Sequence, residues 1–153
     1  MVFVSTRGEE KVTGAQAIVQ GIAKDGGLFV PEKFPQVTRE EMESMLGMDY
    51  PERAAFILHK YLDEYDKDEL LSALKKAYSQ FEGGDAAPLV RVENGMYMLE
   101  LFHGPTCAFK DMALTVLPYL LRKGCDICGI KEDILILVAT SGDTGKAALE
   151  GFK

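Results

Sequence analysis

The chain has 153 residues, a formal charge of −7, 47% hydrophobic and 27% charged residues, which suits one domain with a real core. The acidic balance and the lack of a basic cluster exclude a nucleic-acid surface. No apolar run reaches the roughly 18 residues of a membrane span, and no leader pattern opens the chain, so no membrane association and a cytoplasmic location are expected.

Met1 to Thr6 reads as a short strand. Thr13-x-x-Gln16 is a capping box, and Ala15, Ile18, Val19 and Ile22 follow at helical spacing, predicting a helix to about Ala23 with Asp25-Gly26-Gly27 ending it. Leu28 to Pro31 reads as extended. Thr38-x-x-Glu41 opens a short helix ending near Gly47. Pro51 suits a first helical position, and Ala54, Leu58, Tyr61 and Leu62 give a second helix. Asp66-x-x-Glu69 caps a third, with Leu70, Leu71, Leu74, Ala77, Tyr78 and Phe81 on one face. His59 reads as a partly buried helix residue rather than a ligand.

Residues 83–88 form a loop and a candidate boundary, dividing the chain into a mainly helical region, 1–82, and the start of an α/β domain, 83–153. Leu89 to Glu93 and Met96 to Phe102 flank Asn94-Gly95, which predicts a hairpin with a type I′ turn. Phe109 to Leu121 predicts one central buried helix, kinked or ended early at Pro118. Cys125-Asp126-Ile127-Cys128 has the spacing of a zinc half-site or redox pair. No second pair follows, the only histidines are His59 and His103, and the pair is expected in a turn before a strand, so no metal site is assigned. Ile134 to Ala139 reads as a strand covered on both faces, as in a parallel sheet.

Two stretches carry chemistry. The first runs Leu101-Phe102-His103-Gly104-Pro105-Thr106-Cys107-Ala108-Phe109-Lys110-Asp111. Lys110 stands among apolar residues, where lost hydration disfavours the ammonium form and leaves an amine suited to Schiff-base formation with an aldehyde. The alternative is a snorkelling lysine paired to Asp111. The second stretch, Thr140 to Gly145, is a turn between a strand and a helix, where free N–H groups and the helix dipole favour an anion. A nucleotide P-loop fails here: Thr140 occupies its first glycine position, and Ala147 follows Lys146. Simple capping of the helix is the alternative.

Leu101 to Asp111 closely resembles the lysine motif of the threonine synthases, and Ala139-Thr140-Ser141-Gly142-Asp143-Thr144-Gly145 resembles that family's second motif. Ser5-Thr6-Arg7-Gly8 and Asp25-Gly26-Gly27-Leu28-Phe29-Val30-Pro31 resemble its N-terminal region. The resemblance implies the N-terminal part of a fold-type II α/β enzyme of the tryptophan-synthase-β type. A helical cluster and a β-hairpin would lead there into a parallel sheet. It implies pyridoxal 5′-phosphate held by Lys110 and contacted by Phe109 and Asp143. It also implies a small-molecule substrate, O-phospho-L-homoserine, oriented by Ser141, Gly142, Asp143 and Thr144, with its phosphate met by Ser5, Thr6 and Arg7. The expected reaction takes this substrate and water to L-threonine and phosphate. Family members are much longer, so the chain is expected to be an inactive N-terminal fragment that self-associates. A related threonine dehydratase or cysteine synthase, or a non-enzymatic anion-binding domain, are the alternatives.

Overall fold

The computed structural model describes residues 1–153. Its N-terminal layer is a small antiparallel sheet in which β1 (Val2–Ser5) lies between β2 (Lys11–Thr13) and β3 (Phe29–Pro31). The strand at the N-terminus and the extended piece at 28–31 are thus present. β2 was not expected, because three residues show no readable period. α1 (Gly14–Gln20) opens on the Thr13–Gln16 box, each residue capping the other's backbone. It ends at Gly21, with φ 74°, and not near Ala23. Ile22 then bridges Leu28, and the Ala23 N–H donates to the Gly27 carbonyl at 2.9 Å. Asp25-Gly26-Gly27 is therefore the tip of a small reversal, and not a helix cap.

The helical layer is built from α2 (Arg39–Ser44), continued by a 3₁₀ turn at Met45–Gly47, then α3 (Tyr50–Tyr61) and α4 (Lys67–Tyr78). Thr38 and Glu41 cap each other as expected, and Asp66 accepts from the N–H groups of Asp68 and Glu69. An Asp49–Glu52 box, not anticipated, starts α3, with Pro51 in its first turn. Ala55 of α3 and Leu70, Leu74 and Ala77 of α4 form the main core with Val116. Full burial of each leucine contributes about 1.5–3 kcal/mol. Tyr119 and Leu120 join this cluster to a second one of Ala15, Leu62 and Tyr65. The Tyr65 hydroxyl donates to the Leu120 carbonyl, and the Tyr78 hydroxyl to the Met112 carbonyl, both at 2.8 Å. One core therefore spans residues on both sides of position 82.

The expected central helix is two helices, α5 (Asp111–Leu114) and α6 (Leu117–Cys128). Pro118 cannot donate an N–H and clashes in a helix interior, so it sits in the first turn of a new helix, where that donor is not needed. α6 continues to Cys128, which places Cys125 and Cys128 in its last turn and corrects their expected position in a turn before a strand. All three cysteines are free thiols.

β4 (Leu89–Glu93) and β5 (Met96–Leu99) form the hairpin, with β5 ending short of Phe102. Its turn is not type I′. That type needs left-handed φ at both central residues, and only Gly95, at 80°, has it. Val92 is instead an extra residue between the Arg91–Tyr97 and Glu93–Met96 pairs. Both strands are exposed along their whole length. The expected strand at 134–139 pairs with nothing: its backbone makes no hydrogen bond, and Leu135 and Leu137 are 79% and 85% exposed. A parallel strand exists only through its neighbours, and neither β4 nor β5 lies beside it. The last helix is α7 (Asp143–Gly151), which packs on α5.

Candidate active site

The loop before α5 closes on a buried pair. Asp111 is fully buried, at 0% exposure, and Thr106 supplies both of its side-chain partners. The Thr106 N–H donates to Oδ2 at 2.8 Å and the Thr106 hydroxyl to Oδ1 at 2.7 Å. Gly104 packs against this carboxylate so closely that a Cβ there would lie 2.5 Å from Asp111 Oδ2. Cys107, exposed between them, has a left-handed φ of 59°, which for a side-chain-bearing residue costs about 1–2 kcal/mol. The loop holds that conformation because the Thr106–Asp111 pair fixes both ends of it.

Lys110 precedes Asp111 at the start of α5, half-buried, with helical backbone. Its Nζ lies 4.3 Å from the centre of the exposed Phe109 ring. No carboxylate pairs with it, Asp111 included. The alternative of an ion pair with its neighbour therefore falls away. Next to the loop, His103 Nε2 lies 2.7 Å from Glu100 Oε2, its ring stacks on Phe102, and its carbonyl accepts from the Glu82 N–H.

The second stretch gives α7 a bare N-terminus. Gly142 holds φ 153°, outside the range of residues with a Cβ, and no side chain caps the helix. The Asp143, Thr144 and Gly145 N–H groups have no acceptor, and the Ser141, Asp143 and Thr144 side chains are exposed and unpaired. The capping alternative thus lacks its hydrogen bond. Asp143 and Thr144 are exposed while Gly145 is buried, and unpaired donors with the helix dipole behind them suit an anion.

At the N-terminus, Ser5 is buried and its hydroxyl donates to Asp25 Oδ1 at 2.7 Å while accepting from the Arg7 N–H at 3.1 Å. The Gly27 N–H also donates to Asp25 Oδ1, at 2.8 Å. The Ser5 hydroxyl first, then the Gly27 N–H, hold the Asp25 carboxyl below the usual carboxylate range, with Arg7 adding to them. Thr6 Oγ1 accepts from the Leu28 N–H at 3.0 Å. Arg7 is exposed and has no salt-bridge partner, so of the three only its charged group is uncommitted.

α5 packs on α7 at the C-terminal ends of both helices, where an added Cβ on Gly151 would meet the Leu114 carbonyl oxygen at 2.2 Å; no hydrogen bond or ion pair joins Lys110 to residues 141–145. No hydrogen bond or ion pair joins Ser5–Arg7 to either. Sequence reasoning missed Asp25, Thr106 and Asp111 as loop-holding groups. The only signal was that each lies inside a motif already singled out.

In this α/β chain α5 opens on a lysine without a salt-bridge partner, and α7 opens on backbone N–H groups without acceptors. The family model "Threonine synthase N terminus" matches residues 2–78. The threonine synthases of Schizosaccharomyces pombe and Pseudomonas aeruginosa are 39% and 40% identical over 99% and 100% of the chain. A crystal structure of a PLP-bound threonine synthase from Brucella melitensis superposes with a TM-score of 0.93 at 38% identity, over 99% of this chain and 33% of that one. The chain belongs to the threonine synthase family. It spans about a third of the length of these two relatives, 31% and 33%.

Proposed function

We propose that this chain supplies the reactive lysine and the substrate loop of a pyridoxal-phosphate-dependent threonine synthase, a carbon–oxygen lyase that takes O-phospho-L-homoserine and water to L-threonine and phosphate. The observation that carries the reading is Lys110: an amine with no counter-ion, opening a helix packed on the helix whose N-terminus is bare. These residues fit the cofactor. An aldehyde needs an unpaired amine, and Lys110 has one; a carboxylate needs free donors, and residues 143–145 have them.

When bound, the cofactor serves as the electron sink that makes protons next to the substrate nitrogen removable. Lys110 would hold the cofactor and carry protons to and from the substrate carbons. Phosphate departs from Cγ and water adds at Cβ. The N–H groups opening α7, with the Ser141 and Thr144 hydroxyls and the Gly142 backbone, orient the substrate carboxylate. Asp143 and Phe109 would contact the cofactor, and Asp143 the substrate as well. Arg7 binds the substrate phosphate through its guanidinium, and Ser5 and Thr6 shape the loop that presents it. Residues 1–82 form the N-terminal region and residues 83–153 begin the cofactor-binding domain. The chain by itself binds the cofactor weakly, is inactive and self-associates.

A hybrid in which this chain replaces the matching third of the Pseudomonas aeruginosa enzyme tests the reading. Threonine and phosphate formed from O-phospho-L-homoserine, and lost with Lys110→Ala, is the expected result. A hybrid that holds cofactor but converts threonine to a keto acid and ammonia would make the protein a dehydratase instead.

A further inference from the structure

Asp111 is the carboxylate adjacent in sequence to Lys110, and it is the only acidic side chain in the chain to be buried completely. A buried charge is tolerated only when its lone pairs are satisfied. Here one residue does this twice, through the N–H and the hydroxyl of Thr106 at 2.8 and 2.7 Å. The Asp111 carbonyl is also engaged, accepting from the Thr115 hydroxyl at 2.7 Å. Gly104 leaves room for the carboxylate at a distance where any Cβ would strike it. Lys110 has no salt-bridge partner although a carboxylate follows it directly.

We propose that Thr106 is a positioning residue that sequesters Asp111. By holding both carboxylate oxygens inside the loop, it denies Lys110 its adjacent counter-ion and leaves the Nζ amine free to react with a carbonyl. The inference deepens the assignment of Lys110 as the cofactor lysine and rests on that assignment only for the identity of the carbonyl. Freed from Thr106, the Asp111 carboxylate could turn toward Nζ and favour the ammonium form, which does not react. An opposite charge within about 4–6 Å shifts such an equilibrium by one unit or more, so amine reactivity at fixed pH should fall about ten-fold.

The test needs no cofactor. The folded chain is acetylated with a small activated ester, and the rate at Lys110 is read by peptide mass spectrometry against the exposed lysines Lys24 and Lys131 as internal controls. Thr106→Val, which keeps the shape and the N–H but loses the hydroxyl, should lower the Lys110 rate about ten-fold with the controls unchanged. Thr106→Ser should restore it. Adding Asp111→Asn to Thr106→Val should also restore it, because the competing charge is gone; a merely structural role predicts no such rescue. Gly104→Ala, which displaces the carboxylate without removing a polar group, is the second route should Thr106→Val fail to fold, and Asp111→Asn should rescue it likewise. A Lys110 rate in Thr106→Val equal to the wild-type rate, a loss that Asp111→Asn does not reverse, or loss of fold in both single variants would overturn the proposal. Failure of pyridoxal phosphate to react at Lys110 in the hybrid with the Pseudomonas aeruginosa enzyme would instead count against the cofactor assignment.

Discussion

Asp25 and Asp111 each fix a loop by accepting from a hydroxyl and a backbone N–H, and each makes the following prediction possible because the chemistry is local. Asp25 is held below the ordinary carboxylate range by Ser5 and Gly27. A folded carboxyl with a lowered pKa stabilises above its unfolded value, near 3.9, and that contribution is lost as pH falls through the folded value. Asp25→Asn should therefore be less stable than wild type at pH 7, with the gap closing as pH drops below about 4. Urea melts at pH 7 and pH 3 check this; an unchanged gap would mean that the Asp25 charge contributes nothing. Asp111→Ala differs, because it strands the hydroxyl and N–H of Thr106 in a buried place. It should cost about 1–3 kcal/mol for each unsatisfied group, measured by the same melts, whereas Asp111→Asn offers an oxygen to the Thr106 N–H and an NH2 to the Thr106 hydroxyl oxygen and should cost less.

At the scale of elements, caps were legible and pairings were not. Thr13, Thr38 and Asp66 announce helix starts because a cap and its partner are three residues apart. β2 and the Ile22–Leu28 reversal depend on partners elsewhere in the chain, and the sequence shows no period there. The hairpin position was readable from Asn94-Gly95, but its turn type was not: the extra residue at Val92 changes which backbone angles the turn needs. Pro118 warned of a break in the central helix, yet only the packing of Val116 and Tyr119 into the core shows that a second helix restarts and carries Cys125 and Cys128. In the site, Lys110 and 140–145 stood out as motifs. Their supports did not, because Ser5 meets Asp25 across 20 residues and Thr106 meets Asp111 inside a loop with no periodic signal. The contact of α7 with α5 gives a test at this scale. Gly151→Ala would drive a methyl into the Leu114 carbonyl, which is backbone and cannot step aside, so it should cost about 1–3 kcal/mol. Thermal melts should place this loss well above that of Gly47→Ala, a site with open space around it.

For the whole molecule, the surface is unevenly finished. The helical cluster and the N-terminal sheet enclose a core, while β4, β5 and residues 134–138 present Val92, Met96, Met98, Leu135 and Leu137 to solvent. Exposed apolar strands with free edge groups pair with other chains. The 153-residue chain should therefore sediment as oligomers whose size grows with concentration, and a Val92→Lys/Leu137→Lys double variant should shift them toward monomer. Wild-type monomer at high concentration would refute this. No helix is long and apolar enough to cross a membrane.

The measurement that bears most directly on the proposed function is the location of a cofactor adduct. The hybrid with the Pseudomonas aeruginosa enzyme is incubated with pyridoxal phosphate, reduced with borohydride, digested, and each lysine peptide of this chain is quantified by mass spectrometry. Lys110 should carry the adduct far above Lys24 and Lys131, which are more exposed, and Lys110→Ala should remove it without raising the others. An adduct spread over surface lysines according to exposure, or concentrated at a lysine other than Lys110, would contradict the assignment.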